Sequence, residues 1–331
     1  MAALATTAGY IRGMLAVTYP APGVVELAQR PDPVPGPEEV LVAVRAAGLN
    51  RADLLQRAGR YPAPPGWPAD IPGLEYAGEV CGVGQGVTRW RLGDRVMGLV
   101  GGGAQAEFVA VHQDEAMAVP SALEYADAAA IPEVFLTAWD AMVVRARAVS
   151  GERVLVHAIG SGVGTAAAQL GRLLGYTVIG TSRTPAKLER SRALGMQRGV
   201  LTSDPEWPAR VGEPVNVIID TLGAHVFVQN SGLLAPRGRL VVLGTMTGAG
   251  ASIDLSAVLR GRLEIIGTAM RVRSRREHVD LVGHFARDIL PHFGDGALRP
   301  VVDLVIPMRQ VDEAHRAMQS NETFGKVVLA W

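Results

Sequence analysis

Cysteine is almost absent from this chain. Cys81 is the single thiol among 331 residues, which excludes an internal disulfide and a multi-cysteine metal site. That usage fits a reducing compartment, and the cytoplasm is the expected location. Net charge is absent too, because 32 basic residues balance 32 acidic ones. A nucleic-acid binder normally carries a basic excess or a basic face, so no nucleic-acid partner is expected. The one local concentration is Arg271, Arg273, Arg275 and Arg276. It reads as a solvated helix entrance, with a polyanion site as the alternative. No apolar run reaches the roughly 18 residues of a membrane-crossing helix, so no membrane partner is expected. Residues 1–10 lack the basic flank and long apolar stretch of a secretory signal, and read as a frayed tail. The histidines, His112, His157, His225, His278, His284, His292 and His315, show no pairing at metal spacing on one loop. His278 and His284 fall on one predicted helix but not on one face. Each histidine is expected at the surface or behind a site. No nucleophile elbow and no Ser-His-Asp order is visible.

Apolar material is plentiful. Hydrophobic residues make up 48% and charged residues 19%, which supports real cores and excludes the disordered class. The length predicts two domains. The first 130 or so residues read as short strands between Pro and Gly clusters, at 40–44, 77–80 and 95–99. Pro31, Pro33, Pro35 and Pro37 form a stiff connector, since proline fixes its own φ. The segment 61–68 carries Pro62, Pro64, Pro65 and Pro68, and holds whatever side chains it bears in place.

From about Thr137 the texture becomes strand–helix alternation. Apolar runs at 153–158, 177–181, 215–220, 240–243 and 263–267 alternate with helical spacing at 163–174 and 185–194. Continuous apolar strands between helices predict a parallel sheet covered on both faces. Helices follow near 275–293 and 311–319, then a last strand at 326–329.

Between the first strand and the first helix of that series lies Ala158-Ile159-Gly160-Ser161-Gly162-Val163-Gly164. Glycines there let the backbone turn tightly and approach a pyrophosphate, and the helix N-terminus supplies amide donors. Gly162-x-Gly164-x-x-Ala167 satisfies the loose dinucleotide fingerprint in the required strand–turn–helix context. The alternative is a tight turn with no ligand. The end of the second strand should read the ribose. It carries no carboxylate, but Thr181-Ser182-Arg183-Thr184, with Lys187 one turn on. Hydroxyls and cations suit a 2′-phosphate, so Ser182, Arg183 and Lys187 predict NADPH; the alternative is a surface pair of cations. Ser161, Gly162, Val163 and Gly164 are assigned to the cofactor, with Leu222 and Gly244 after later strands, Thr137 and Lys326. Thr137 reads as the opening of the linking helix, touching the nicotinamide or capping that helix.

Several motifs together carry a family resemblance. They are Gly48-Leu49-Asn50-Arg51-Ala52-Asp53 with Leu54 to Tyr61, Pro72-Gly73-Leu74-Glu75-Tyr76-Ala77-Gly78, Gly101-Gly102-Gly103-Ala104-Gln105-Ala106-Glu107, and Phe324-Gly325-Lys326-Val327-Val328. With the glycine turn, the chain resembles the zinc-free medium-chain dehydrogenase/reductases of the zeta-crystallin-like NADPH:quinone oxidoreductase type. The resemblance implies an α/β fold: a GroES-like β-rich catalytic domain over residues 1–136 and 272–331, with an inserted doubly wound Rossmann domain over 137–271. Where zinc members present a cysteine and a histidine, Asn50 and Leu74 stand here, and the structural-zinc lobe is missing. Zinc needs thiolate, imidazole or carboxylate ligands, so no metal is expected. Glu75 reads as a structural acceptor, with a place near the nicotinamide as the alternative. Ser161 is expected to offer its hydroxyl or amide to the pyrophosphate. Asn50 and Tyr61 are the candidates for contacting substrate and nicotinamide ribose, Tyr61 being otherwise a packing aromatic.

The resulting expectation is hydride transfer from NADPH to a quinone or related conjugated carbonyl. An enone or enoyl reductase, or a non-catalytic NADPH-binding protein, remains open. The apolar strand at 263–267 predicts an exposed edge, and with it a homodimer.

Overall fold

The computed structural model describes residues 13–331, so the reading of residues 1–10 as a tail lies outside the described residues. One lobe is built from both ends of the chain. Its seven-stranded sheet runs Val302–Pro307, Lys326–Ala330, Glu39–Leu49, Glu75–Val83, Arg95–Leu99 and Ala116–Ala118, with Phe108–His112 also paired to Glu39–Leu49. Glu39–Leu49 alternates between buried and half-buried side chains along its first half, as a sheet with one covered face should. Its last four residues are wholly buried, and the short helix Tyr125–Ala128 packs on this strand. A separate hairpin-like pair, Gly13–Thr18 with Glu26–Pro31, is antiparallel.

The second lobe is inserted between those segments. Its six strands are all parallel and run Met196–Leu201, Thr177–Ser182, Arg153–Val156, Val215–Asp220, Leu234–Val242, Glu264–Gly267. Val154, Leu155, Val217, Ile218 and Ile219 at its centre are fully buried. Each such side chain contributes about 1.5–3 kcal/mol relative to exposure. The chain order reverses between Arg153–Val156 and Val215–Asp220, and the crevice at such a reversal is where this kind of sheet binds nucleotides.

Among the elements that differ from the sequence reading, two have a plain physical reason. Met196–Leu201 has no counterpart there, because as the outer strand it is only partly buried and carries Gln197, Arg198 and Gly199 rather than an apolar run. The helix expected over 275–293 is two, Arg275–Asp288 and Pro291–Gly294, because Pro291 cannot donate within a helix. The lobes are joined by Pro132–Trp139, which continues as a π-helical stretch through Asp140–Arg145.

Candidate active site

A cleft of about 1880 Å³ lies between the lobes. The Gly162–Leu174 helix points its N-terminus into it. Ser161 caps that helix: its Oγ accepts from Gly164 N–H at 3.1 Å. The hydroxyl oxygen is therefore engaged in the fold, while its proton remains available to a ligand. A Cβ on Gly164 would meet the carbonyl oxygens of Ala158 and Ile159, each at 2.5 Å, so only glycine closes this turn. Gly164 is packed inside the turn, whereas Ser161, Gly162, Val163, Leu222 and Gly244 line the cleft. The Leu222 turn is held by Asp220, whose Oδ1 accepts from Leu222 N–H at 2.7 Å and Gly223 N–H at 3.0 Å. Asp220 Oδ2 in turn accepts from Asn230, and His157 bridges Asn230 Oδ1 (2.7 Å) to Thr181 Oγ1 (2.9 Å). Burial holds His157 below its usual pKa. It sits under the nucleotide crevice as a neutral strut.

Cations gather at the far end of the crevice. Ser182, Arg183 and Lys187 all line the cleft. Lys187 lies with its stem against Gly160, where a Cβ would meet its Cδ at 2.7 Å, and its Nζ donates to Asn321 O at 2.6 Å. Arg51 joins them from the other lobe, and burial, followed by Arg183, lowers the pKa of both Arg51 and Lys187. Like charges held together at a cleft wall are relieved by an anion. The sequence reading passed over Arg51, because only the closing of the lobes brings it beside Arg183.

The opposite end is organised by one buried ammonium. Lys326 runs its stem past Gly162 and places Nζ 2.7 Å from Leu49 O, 2.6 Å from Asn50 Oδ1 and 2.6 Å from Glu75 Oε1. Glu75 is fully buried, and also accepts from Asn50 Nδ2 at 2.9 Å and from Glu133 N–H at 2.8 Å. It is the structural acceptor of this site. Gly48 leaves the space for it, since a Cβ there would strike Glu75 Oε1. Asn50 Nδ2 gives its second hydrogen to Gly48 O at 3.2 Å. Both amide hydrogens of Asn50 are thus committed within the protein, which fixes its side chain in the frame of the site. Beneath it, Asp53 accepts from Asn50 N–H at 2.7 Å and Gly73 N–H at 3.2 Å, yet burial raises its carboxyl to about 6.

Tyr61, Trp67, Glu133 and Thr137 complete the cleft wall. Tyr61 accepts on its backbone carbonyl, and its phenol makes no hydrogen bond among the described residues. Glu133 lies in the first turn of Pro132–Trp139. Burial, then the nearby Glu75 carboxylate, raises it to about 8, and in its protonated form it can donate. Thr137 is corrected: it is neither the opening nor the cap of that helix, which begins at Pro132 after Ile131. Its Oγ1 is buried, unpartnered and at the cleft wall. Thr221 Oγ1 is orphaned there as well. Two orphaned hydroxyls, a glycine turn and a cationic corner fit a dinucleotide.

The arginine run is also corrected. Arg271 is 9% exposed and Arg273 nearly buried, so the reading as a solvated helix entrance fails for both. Arg271 reaches into the other lobe, and Arg273 pairs with buried Asp140 at 2.6 Å and with Thr268 Oγ1 at 2.8 Å. Gly101 and Asp140, more than a hundred residues away, leave no mark on the local pattern.

Lobes of this form, with a nucleotide crevice between them, define a two-domain pyridine-nucleotide oxidoreductase. Residues 36–121 match the family model described as the alcohol dehydrogenase GroES-like domain, and residues 162–284 the one described as zinc-binding dehydrogenase. The chain belongs to the medium-chain dehydrogenase/reductase family. It is 30% identical over 317 residues to a quinone oxidoreductase of Pseudomonas aeruginosa, covering 94% of this chain and 97% of that one. It is 34% identical over 293 residues to the polyketide synthase GfsB of Streptomyces halstedii, covering 88% of this chain but only 5% of that protein's length. Similar solved structures include an NAD-dependent alcohol dehydrogenase (TM-score 0.85, 32% identity, 96% of this chain and 100% of that one). A quinone oxidoreductase of Pseudomonas syringae pv. Tomato matches with TM-score 0.86 and 26% identity, over 96% and 100%. The CurK enoyl reductase matches with TM-score 0.83 and 26% identity, over 96% and 99%. The zinc of the family model's description does not fit this donor set. Leu74 is an alkyl side chain, Asn50 is locked in amide hydrogen bonds, and Glu75 is paired with Lys326. Among the described residues no group of three or more His, Cys, Asp or Glu is placed to hold a metal. No helix of the described residues is long and apolar enough to cross a membrane.

Proposed function

We propose that this protein is an NADPH-dependent quinone reductase, transferring hydride to a quinone or related conjugated carbonyl without a metal. The observation that carries the reading is the acceptor end of the cleft: the Tyr61 phenol, without a hydrogen-bond partner among the described residues, and the Glu133 carboxyl line it, while the buried Lys326 ammonium holds Asn50 and Glu75. A plain alcohol requires a strong electrophile for its alkoxide. A quinone oxygen becomes a ring-stabilised phenolate, for which one or two donors suffice. The bound nicotinamide supplies the hydride. The chain's own work is to seat that cofactor on the turn at Ser161, Gly162 and Val163, to exclude water, and to hold a planar acceptor against Tyr61. Offset stacking and a phenolic donor are both available there. Ser182, Arg183 and Lys187, with Arg51, support the phosphate of NADPH over NADH. The Leu222 and Gly244 turns and the Thr137 hydroxyl complete the seat. We further propose the division into residues 1–136 with 272–331 and 137–271, a cytoplasmic setting and a homodimer.

The test is NADPH oxidation against a panel of quinones, enals, an enoyl thioester and ethanol. Quinone-dependent turnover with negligible ethanol chemistry is expected. Ethanol oxidation without quinone activity would overturn the assignment. Preference for the enoyl thioester would favour the second reading, an enoyl reductase, which the likeness to CurK and to polyketide synthases supports. Tight NADPH binding with no turnover of any acceptor would leave a binding protein.

A further inference from the structure

Arg271 follows the edge strand Glu264–Gly267 of the parallel sheet, yet every partner it holds belongs to the other lobe. Its guanidinium donates from Nε to Gly101 O at 2.9 Å, from Nη1 to Tyr61 O at 3.0 Å and from Nη2 to Gln56 Oε1 at 2.9 Å. Its Cζ stands 4.6 Å from the centroid of the Tyr61 ring. One fork therefore fixes the backbone and the aromatic face of the same residue. It also fixes the floor beneath the neighbouring aromatic, because Trp67 lies directly on Gly101, leaving no room there for a side chain. The stretch that begins at Tyr61 and ends at Pro68 has no other hydrogen bond to the parallel-sheet lobe among the described residues. Proline stiffens this stretch but does not dock it.

We infer that Arg271 is the positioning residue of the acceptor site: it docks the 61–68 loop across the cleft and sets the plane of Tyr61 and Trp67 against which the acceptor lies. The inference rests on the quinone-reductase reading only for its kinetic consequence. A planar guanidinium with donors in a fixed fork satisfies three acceptors at once, whereas an ammonium has no such geometry. A Lys at this position keeps the charge near Tyr61 and loses the simultaneous reach to Gly101 and Gln56.

Arg271→Ala and Arg271→Lys are to be compared with the wild type by hydrogen exchange of the 61–68 segment, NADPH dissociation constant and acceptor kinetics. Charge-assisted hydrogen bonds of this kind make the expected effect at least about tenfold. Exchange at Trp67, whose N–H donates to Pro64 O at 3.2 Å, should rise by that factor in the Ala variant. The KM for a quinone should rise similarly while NADPH affinity stays within about twofold. Arg271→Lys should fall between, and it serves as the deciding variant where Arg271→Ala does not fold. Loop exchange unchanged in the folded variants overturns the inference, as does a loss of NADPH affinity equal to the loss in quinone KM. Failure of the wild type to reduce any quinone would remove the functional reading, and the exchange measurement would still decide the role of Arg271.

Discussion

At the scale of single residues, four side chains from two lobes, Arg51, Ser182, Arg183 and Lys187, line one corner of the cleft. Ser182, Arg183 and Lys187 were legible because the end of the second strand is a fixed place in this fold. Arg51 was not, since it meets Arg183 only when the lobes come together. Removing one charge from this corner should cost the phosphate one charge-assisted contact, about 1.5–3 kcal/mol. Arg183→Ala is therefore expected to weaken NADPH by about one to two decades and leave NADH nearly unchanged. Fluorescence titration of both cofactors measures this, and equal losses would assign Arg183 another role. Asn50 shows the opposite kind of gap. Its identity marks the site, but its amide is spoken for by partners 25 and 276 residues away. No local pattern encodes such partners.

At the scale of elements, strands buried on both faces were easy to read and half-buried ones were not. Val215–Asp220 and Arg95–Leu99 carry unbroken or alternating apolar runs and were bounded from sequence alone. Met196–Leu201 escaped because its exposed side needs no apolar residue. Glu264–Gly267 is the other outer strand, paired on one side only, with Ile265 40% exposed. The adjoining helix Leu255–Gly261 buries no residue, and Leu255 and Leu259 are 71% and 78% exposed. A free strand edge beside uncovered apolar side chains calls for a cover. A second copy added edge to edge is expected, giving a sedimentation mass of twice 34.9 kDa at micromolar concentration. Ile265→Lys should weaken that association by roughly 10- to 100-fold, the worth of one buried aliphatic side chain. A wild-type mass of one chain would refute the pairing.

At the scale of the whole molecule, buried titratable groups set a pH window. Glu133 is raised to about 8 and Asp53 to about 6, so the stability they contribute is complete below their unfolded values, near 4, and is lost as pH rises through the folded ones. His157 and His315 are buried and lowered, His315 to about 4, so they act in the other direction, and stability falls as pH drops below about 6.5. Above that point Glu133 stands alone among these groups. The urea midpoint should decline between about pH 6.5 and pH 9, and Glu133→Gln should flatten that decline. An unchanged slope in the variant would show that Glu133 ionises at its ordinary pH. The two-lobe plan was legible from the change of texture near residue 137, whereas the closure that joins Lys326 to Asn50 and Glu75 was not. That closure limits what substitution could make of the site. Putting a cysteine at position 50 and a histidine at position 74 would set new ligands around an ammonium already bound to Glu75 at 2.6 Å. A divalent ion would meet a resident positive charge, and discarding Lys326 first would strand Glu75 in the interior without its counter-ion. Each single substitution toward a metal site therefore leaves either two cations in contact or a buried carboxylate without its counter-ion, so one side chain closes this cleft to metal chemistry.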